Sequence, residues 1–139
     1  MKLEMQHIFP APRTRVFQAW TDREMLLQWF HPPGSVLQKA DIDLRVGGIY
    51  RFWLTNSQVG EFQIFGIYRE IIAPEKLVFT WNNPLIHDFE TVVTLQFVEA
   101  GANQTELLMS QVGFVSELIL DDYRAGWLAL LPSLELSVS

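Results

Sequence analysis

The chain has 139 residues, 49% of them hydrophobic and 19% charged, with a formal net charge of −6 and no cysteine. A chain of this size and composition makes one folded domain, predicted over residues 1–139, and excludes disorder, disulfides, thiolate chemistry and cysteine-bound zinc. No run of Lys or Arg offers a basic face, which argues against nucleic acid and anionic lipid as partners.

The N-terminus has neither the basic start nor the apolar run of a secretory signal, and no apolar stretch reaches membrane-spanning length. A cytoplasmic location is the expectation. Leu3, Met5, Ile8 and Phe9 mark a short first strand, ended by Pro10 and Pro12. Pro12 suits the start of a helix, where its missing N–H costs nothing. Val16, Phe17 and Trp20 follow at helical spacing, and Thr21 or Asp22 interrupts the helix and can cap the next. Met25, Leu26, Trp29 and Phe30 give a second apolar face, broken by His31-Pro32-Pro33-Gly34.

From Val36 the rhythm changes to period two, with Asp41 to Leu44 alternating and Gly47-Gly48 as a turn. Tyr50, Phe52 and Leu54 face one side of a strand, Arg51 and Trp53 the other. A polar turn at 56–60 and a long strand over 61–72 form a hairpin. A turn at 73–76 leads to Leu77, Phe79 and Trp81, which alternate with Val78 and Thr80. Asn82-Asn83-Pro84 opens a loop. Strands over 91–98 and 105–112 follow, with Val93, Leu95 and Phe97, then Leu107, Met109 and Gln111, on one face. The last segment, 116–136, returns to helical spacing: Trp127, Leu130, Leu131 and Leu134 form one stripe. Ser116 is its predicted N-cap. Pro132 removes a hydrogen bond and predicts a kink or an early end near residues 128–131. Strands flanked by helices at the two ends predict an α+β fold with an antiparallel sheet.

The stretches APRTRVFQAWTDREMLLQWF, DLRVGGIYRF, GIYREIIAPEKLVFTW and TELLMSQVGF followed by RAGW, in that order and spacing, resemble the Aha1-like family. That family is named for the activator of Hsp90 ATPase and belongs to the START-like superfamily with the Bet v 1 allergens and polyketide cyclases. The resemblance implies a helix-grip fold: a strand, two short helices, six more antiparallel strands, and a long C-terminal helix gripped by a curved seven-stranded sheet. It implies a cavity between sheet and helix that takes apolar ligands, and no particular reaction. The chain departs from related sequences at Phe30-His31, where a second Trp and a Gly are usual, and at Pro132.

No nucleophile elbow, P-loop or dinucleotide glycine pattern is present. The histidines, His7, His31 and His87, show no metal-ligand spacing, so neither metal nor cofactor is expected. His87, with Asp88 and Glu90, is read as part of a solvated loop, and His31 as a residue near the cavity mouth. The aromatics Trp29, Phe30, Tyr50, Phe52, Phe62, Phe79, Trp81 and Trp127, with Leu95 and Met109, are predicted to face the space between sheet and helix. Arg51, Glu61, Tyr68, Glu70, Gln111 and Tyr123 lie on the elements around it. Tyr68, Gln111 and Tyr123 are candidate polar contacts, while Arg51 has outward parity.

These residues point first to a binding protein for a small apolar molecule. A cyclase or dehydratase acting on an aromatic or polyketide-like substrate would need a titrating group inside the cavity, and no Asp, Glu or His pair is placed for it. A third reading is a co-chaperone or stress-response protein that meets an Hsp90-type chaperone through its surface. An exposed sheet edge would also allow two copies to pair as a homodimer.

Overall fold

The computed structural model describes residues Met1–Ser139. Its elements are β1 (Lys2–Phe9), α1 (Arg13–Thr21), α2 (Arg23–Trp29), β2 (Ser35–Ile42), β3 (Ile49–Asn56), β4 (Gly60–Ile72), β5 (Lys76–Trp81), β6 (Thr91–Gly101), β7 (Gln104–Val112) and α3 (Glu117–Val138). The seven strands form one sheet in the order β1-β7-β6-β5-β4-β3-β2, and every neighbouring pair is antiparallel. This is the α+β helix-grip architecture that the resemblance implied.

Local chemistry sets the helix ends. Pro12 is the N-cap of α1, and its carbonyl accepts from Arg15 and Val16 N–H. Asp22 ends α1 and caps α2, its Oδ1 accepting from Glu24 N–H at 3.0 Å. Ser116 caps α3, with Oγ accepting from Ile119 N–H at 3.4 Å.

Inward side chains follow the strand period. Tyr50, Phe52 and Leu54 on β3, Leu77, Phe79 and Trp81 on β5, and Leu107, Met109 and Gln111 on β7 are all buried. Arg51 lies on the outer face as its parity requires, bonded to Gln63 at 2.6 Å and set over the Phe65 ring. The period slips at two places. In β2 the register shifts between Leu37 and Lys39, so the buried positions Leu37 and Ala40 are three apart. In β4 it shifts between Tyr68 and Glu70. At Gly66 the strands approach so closely that a Cβ would stand 1.9 Å from the Thr80 carbonyl oxygen, so only glycine fits. Tyr50 Oη donates to that same carbonyl. The edges of the sheet are β1 and β2. The bulge and the outward charges of Lys39 and Asp41 blunt the second edge.

Two expectations are corrected. Of the kink or early end expected near residues 128–131, the early end does not occur: α3 runs through Pro132 to Val138. Leu134 and Val138, beyond the proline, are 1% and 2% exposed. Burying each side chain contributes about 1.5–3 kcal/mol, enough to offset the roughly 3 kcal/mol that an internal proline costs. The second correction is His87, which does not sit in solvent. It is buried and hydrogen-bonded at both ring nitrogens, because the loop 82–90 folds back onto α3. No helix is long and apolar enough to cross a membrane.

A candidate ligand-binding crevice

The aromatic side chains pack into a nearly solid wall. Phe30, Tyr50, Phe52, Phe79, Trp81 and Trp127 are linked ring to ring, with centroids 5.1–6.4 Å apart in tilted or edge-on pairs. Two voids remain in this core, one around Tyr50 and Tyr68 and one around Met109 and Trp127. Each measures about 20 Å³, room for a single water.

The large space lies to one side of this wall. A crevice of about 460 Å³ opens between α3, the β3–β4 hairpin, the 31–35 turn and the 82–90 loop. Its floor is Phe30, Trp81 and Trp127, and Phe62, Ile64, Val59, Leu130 and Gly126 form its sides. Leu85 and Ile86, both about half exposed, overhang it from the loop. Two other depressions of similar size lie elsewhere, on the outer face of β1, β7 and β6 and beside the α1–α2 junction, and both are lined mainly by polar side chains.

Of the thirteen side chains read from the sequence, Phe30, Phe62, Trp81, Tyr123 and Trp127 line the crevice. Trp29, Tyr50, Phe52, Tyr68, Phe79 and Leu95 stand behind it in the packed core. Met109 borders the small void on β7, and Gln111 is buried beneath Trp127. Glu61 is exposed at the hairpin end, and Glu70 pairs with Lys76 at 3.3 Å on the sheet surface. His31 holds the mouth in shape: its Nδ1 accepts from Leu37 N–H at 3.1 Å and its Nε2 donates to the Leu27 carbonyl at 2.8 Å.

Hydrogen bonds fix the two tryptophans of the floor. Trp127 Nε1–H donates to Gln111 Oε1 at 2.9 Å, and Gln111 Nε2–H donates to Thr91 Oγ1 at 2.9 Å. Trp81 Nε1–H donates to Tyr123 Oη at 3.1 Å. Tyr123 Oη–H in turn donates to His87 Nε2 at 2.7 Å, and His87 Nδ1–H donates to the Phe89 carbonyl at 2.7 Å. This chain ties the 82–90 loop to α3 across one end of the crevice.

Burial pushes the Tyr123 phenol above its ordinary range, so it stays neutral, and the same holds for Tyr50 and Tyr68. Burial pushes the His87 imidazolium down, which favours the neutral ring that the hydrogen bonds require. Both nitrogens of His87 are engaged, and no three His, Asp or Glu side chains come together to hold a metal.

Most of the other crevice residues were not among the sequence's candidates, and two of them matter for its chemistry. Asn83 is 3% exposed and lines the crevice, and its Oδ1 has no hydrogen-bond partner. Asp122 stands exposed at the rim. The sequence signal for the first was slight: Leu85, Ile86 and Phe89 make the 82–90 loop more apolar than a solvated loop needs.

The family model described as activator of Hsp90 ATPase homolog 1-like protein matches residues 10–138. Solved structures share the fold. A protein from Chromobacterium violaceum aligns with a TM-score of 0.85 at 23% identity, covering 99% of this chain and 96% of that one. The AHSA1 protein from Silicibacter pomeroyi aligns at 0.83 and 21% identity, covering 98% and 96%. An HSP90 activator from Plasmodium falciparum aligns at 0.78 and 24% identity, covering 98% and 94%. A sequence search of curated proteins gives no match.

Proposed function

Given that this chain belongs to the activator of Hsp90 ATPase homolog 1-like family, we propose that it binds small, largely apolar molecules in the crevice beside α3. One observation carries this reading: a largely apolar opening of about 460 Å³ stands beside a core whose two voids each have room for a single water. That volume falls in the range of about 300–1,000 Å³ usual for ligand pockets. Trp81, Trp127, Phe30 and Phe62 supply broad dispersion contacts, and their fixed indoles present a wall that needs little ordering on binding.

Binding is favoured over proton chemistry by the state of the polar groups. A cyclase or dehydratase mechanism would run through Tyr123 and His87. The Tyr123 proton, however, is already directed at His87, whose other nitrogen is held by a backbone carbonyl. That pair serves to fasten the loop.

The test is titration with apolar and amphipathic compounds while following tryptophan emission and melting temperature. Two of the five tryptophans line the crevice, so a saturable emission change is expected. The melting temperature is expected to rise with ligand concentration, since only the folded state has the site. Silence in both measurements across a broad set of compounds would refute the reading.

The family description and the Plasmodium falciparum HSP90 activator favour a second reading, surface contact with an Hsp90-type chaperone. Stimulation of such a chaperone's ATPase by this protein, lost on reversing surface charges far from the crevice, would support it.

A further inference from the structure

The inference rests on the crevice being the binding site and concerns which apolar molecules it accepts. Of the side chains that line it, none is Lys or Arg, so nothing there neutralises a carboxylate, sulfate or phosphate. The one charged residue is Asp122, which is exposed at the rim and makes no ion pair. An anionic head would meet repulsion there and find no cation inside, only the neutral side chains of Ser35, Asn56, Asn83 and Tyr123.

Asn83 supplies a complementary observation. Its backbone is fixed by a turn in which its carbonyl accepts from Ile86 N–H at 3.0 Å and His87 N–H at 3.1 Å. Its side chain is 97% buried on the crevice wall, and Oδ1 has no partner. A buried acceptor left unpaired is unfavourable, and native structures rarely keep one without a reason. Oδ1 is closed off as it stands, and turning the amide about its broad last torsion, away from the Tyr123 hydroxyl it adjoins, would present it to the crevice. A hydrogen-bond donor on a ligand would satisfy it. The neighbouring Tyr123 hydroxyl gives its proton to His87, so it offers no donor to a ligand acceptor.

We infer that the crevice selects apolar molecules that carry an uncharged or cationic hydrogen-bond-donating head, such as an alcohol or an amine, received by Asn83 Oδ1 with Asp122 at the rim, and that it rejects carboxylates of the same chain.

A matched series on the intact protein tests this: 1-decanol, decylamine (cationic at pH 7.5), decanoate and decyl methyl ether, which share one apolar chain. Affinities are read by calorimetry at pH 7.5, below the micellar range. Decanol and decylamine are expected to bind at least five-fold more tightly than decanoate and the ether. At low salt decylamine is expected to bind more tightly than decanol, and raising salt should erode that margin, because screening weakens the Asp122 contribution. In Asn83→Ala, decanol and the ether should become equal. The wild-type series carries the test alone if that variant does not fold. Binding of decanoate or the ether as tightly as decanol overturns the head-group inference while leaving crevice binding intact. Binding of none of the four overturns both.

Discussion

Trp127 brings its ring against Trp20, Phe30 and Trp81, at centroid distances of 5.8, 6.3 and 5.2 Å, and anchors its N–H on Gln111. It is therefore both core and crevice floor. Trp127→Ala is expected to cost about 3–5 kcal/mol of stability, the usual effect of deleting a large buried aromatic, read from the urea midpoint. A loss under about 1 kcal/mol would show that the ring is not part of the core. His87 gives a pH signature. Its folded-state pKa lies below the ordinary 6.5 because burial disfavours the charged ring. The unfolded chain then binds the proton more readily, so this contribution is complete above pH 6.5 and is lost as pH falls through the lowered value. Stability measured from pH 7.5 to 5.5 should fall in the wild type and fall less in His87→Gln. Equal slopes would exclude His87 as the source. Strand parity placed Gln111 and Tyr68 inward because a period-two pattern fixes sides once one residue is fixed. His87 and Asn83 could not be read this way. They lie in a loop, which has no period, and only the fold of that loop onto α3 buries them.

At the scale of elements, α3 shows where pattern and local rule disagree. The stripe of Trp127, Leu130, Leu131 and Leu134 identified the helix, whereas Pro132 argued for a kink or an early end. Tertiary burial of Leu134 and Val138 prevailed over the local penalty. Pro132 is itself exposed, so Pro132→Ala should restore a helical hydrogen bond without disturbing the core. It is expected to stabilise the protein by about 1–3 kcal/mol, seen as a raised melting temperature. A lowered value would mean that the proline shapes the final turns. The bulge in β2 was invisible for a related reason. Leu37 and Ala40 break strict alternation, and one sequence offers no second strand against which to see the shift. Helices, strands and their order were legible because their apolar periods run unbroken through most of each element.

The molecule as a whole places a packed aromatic core and an open crevice side by side. The sequence shows many aromatics converging between sheet and helix, but not how many close against one another. Most do, and the opening depends on small residues of α3. Gly126 faces the crevice, and a Cβ there would meet nothing within 4 Å. Gly126→Ala should stabilise the helix by about 0.5–1 kcal/mol, the usual gain over glycine inside a helix. Met109, predicted inward from its strand, borders only a one-water void, so enlarging it would strain the core before it blocked a ligand. Gly126→Phe instead projects a ring into empty space. The most direct test of crevice binding compares the affinity of 1-decanol for wild type and Gly126→Phe by calorimetry, after confirming that the variant melts no lower than the wild type. The crevice account predicts saturable binding to the wild type and at least ten-fold weaker binding to the variant. Equal affinity in the two proteins would contradict it.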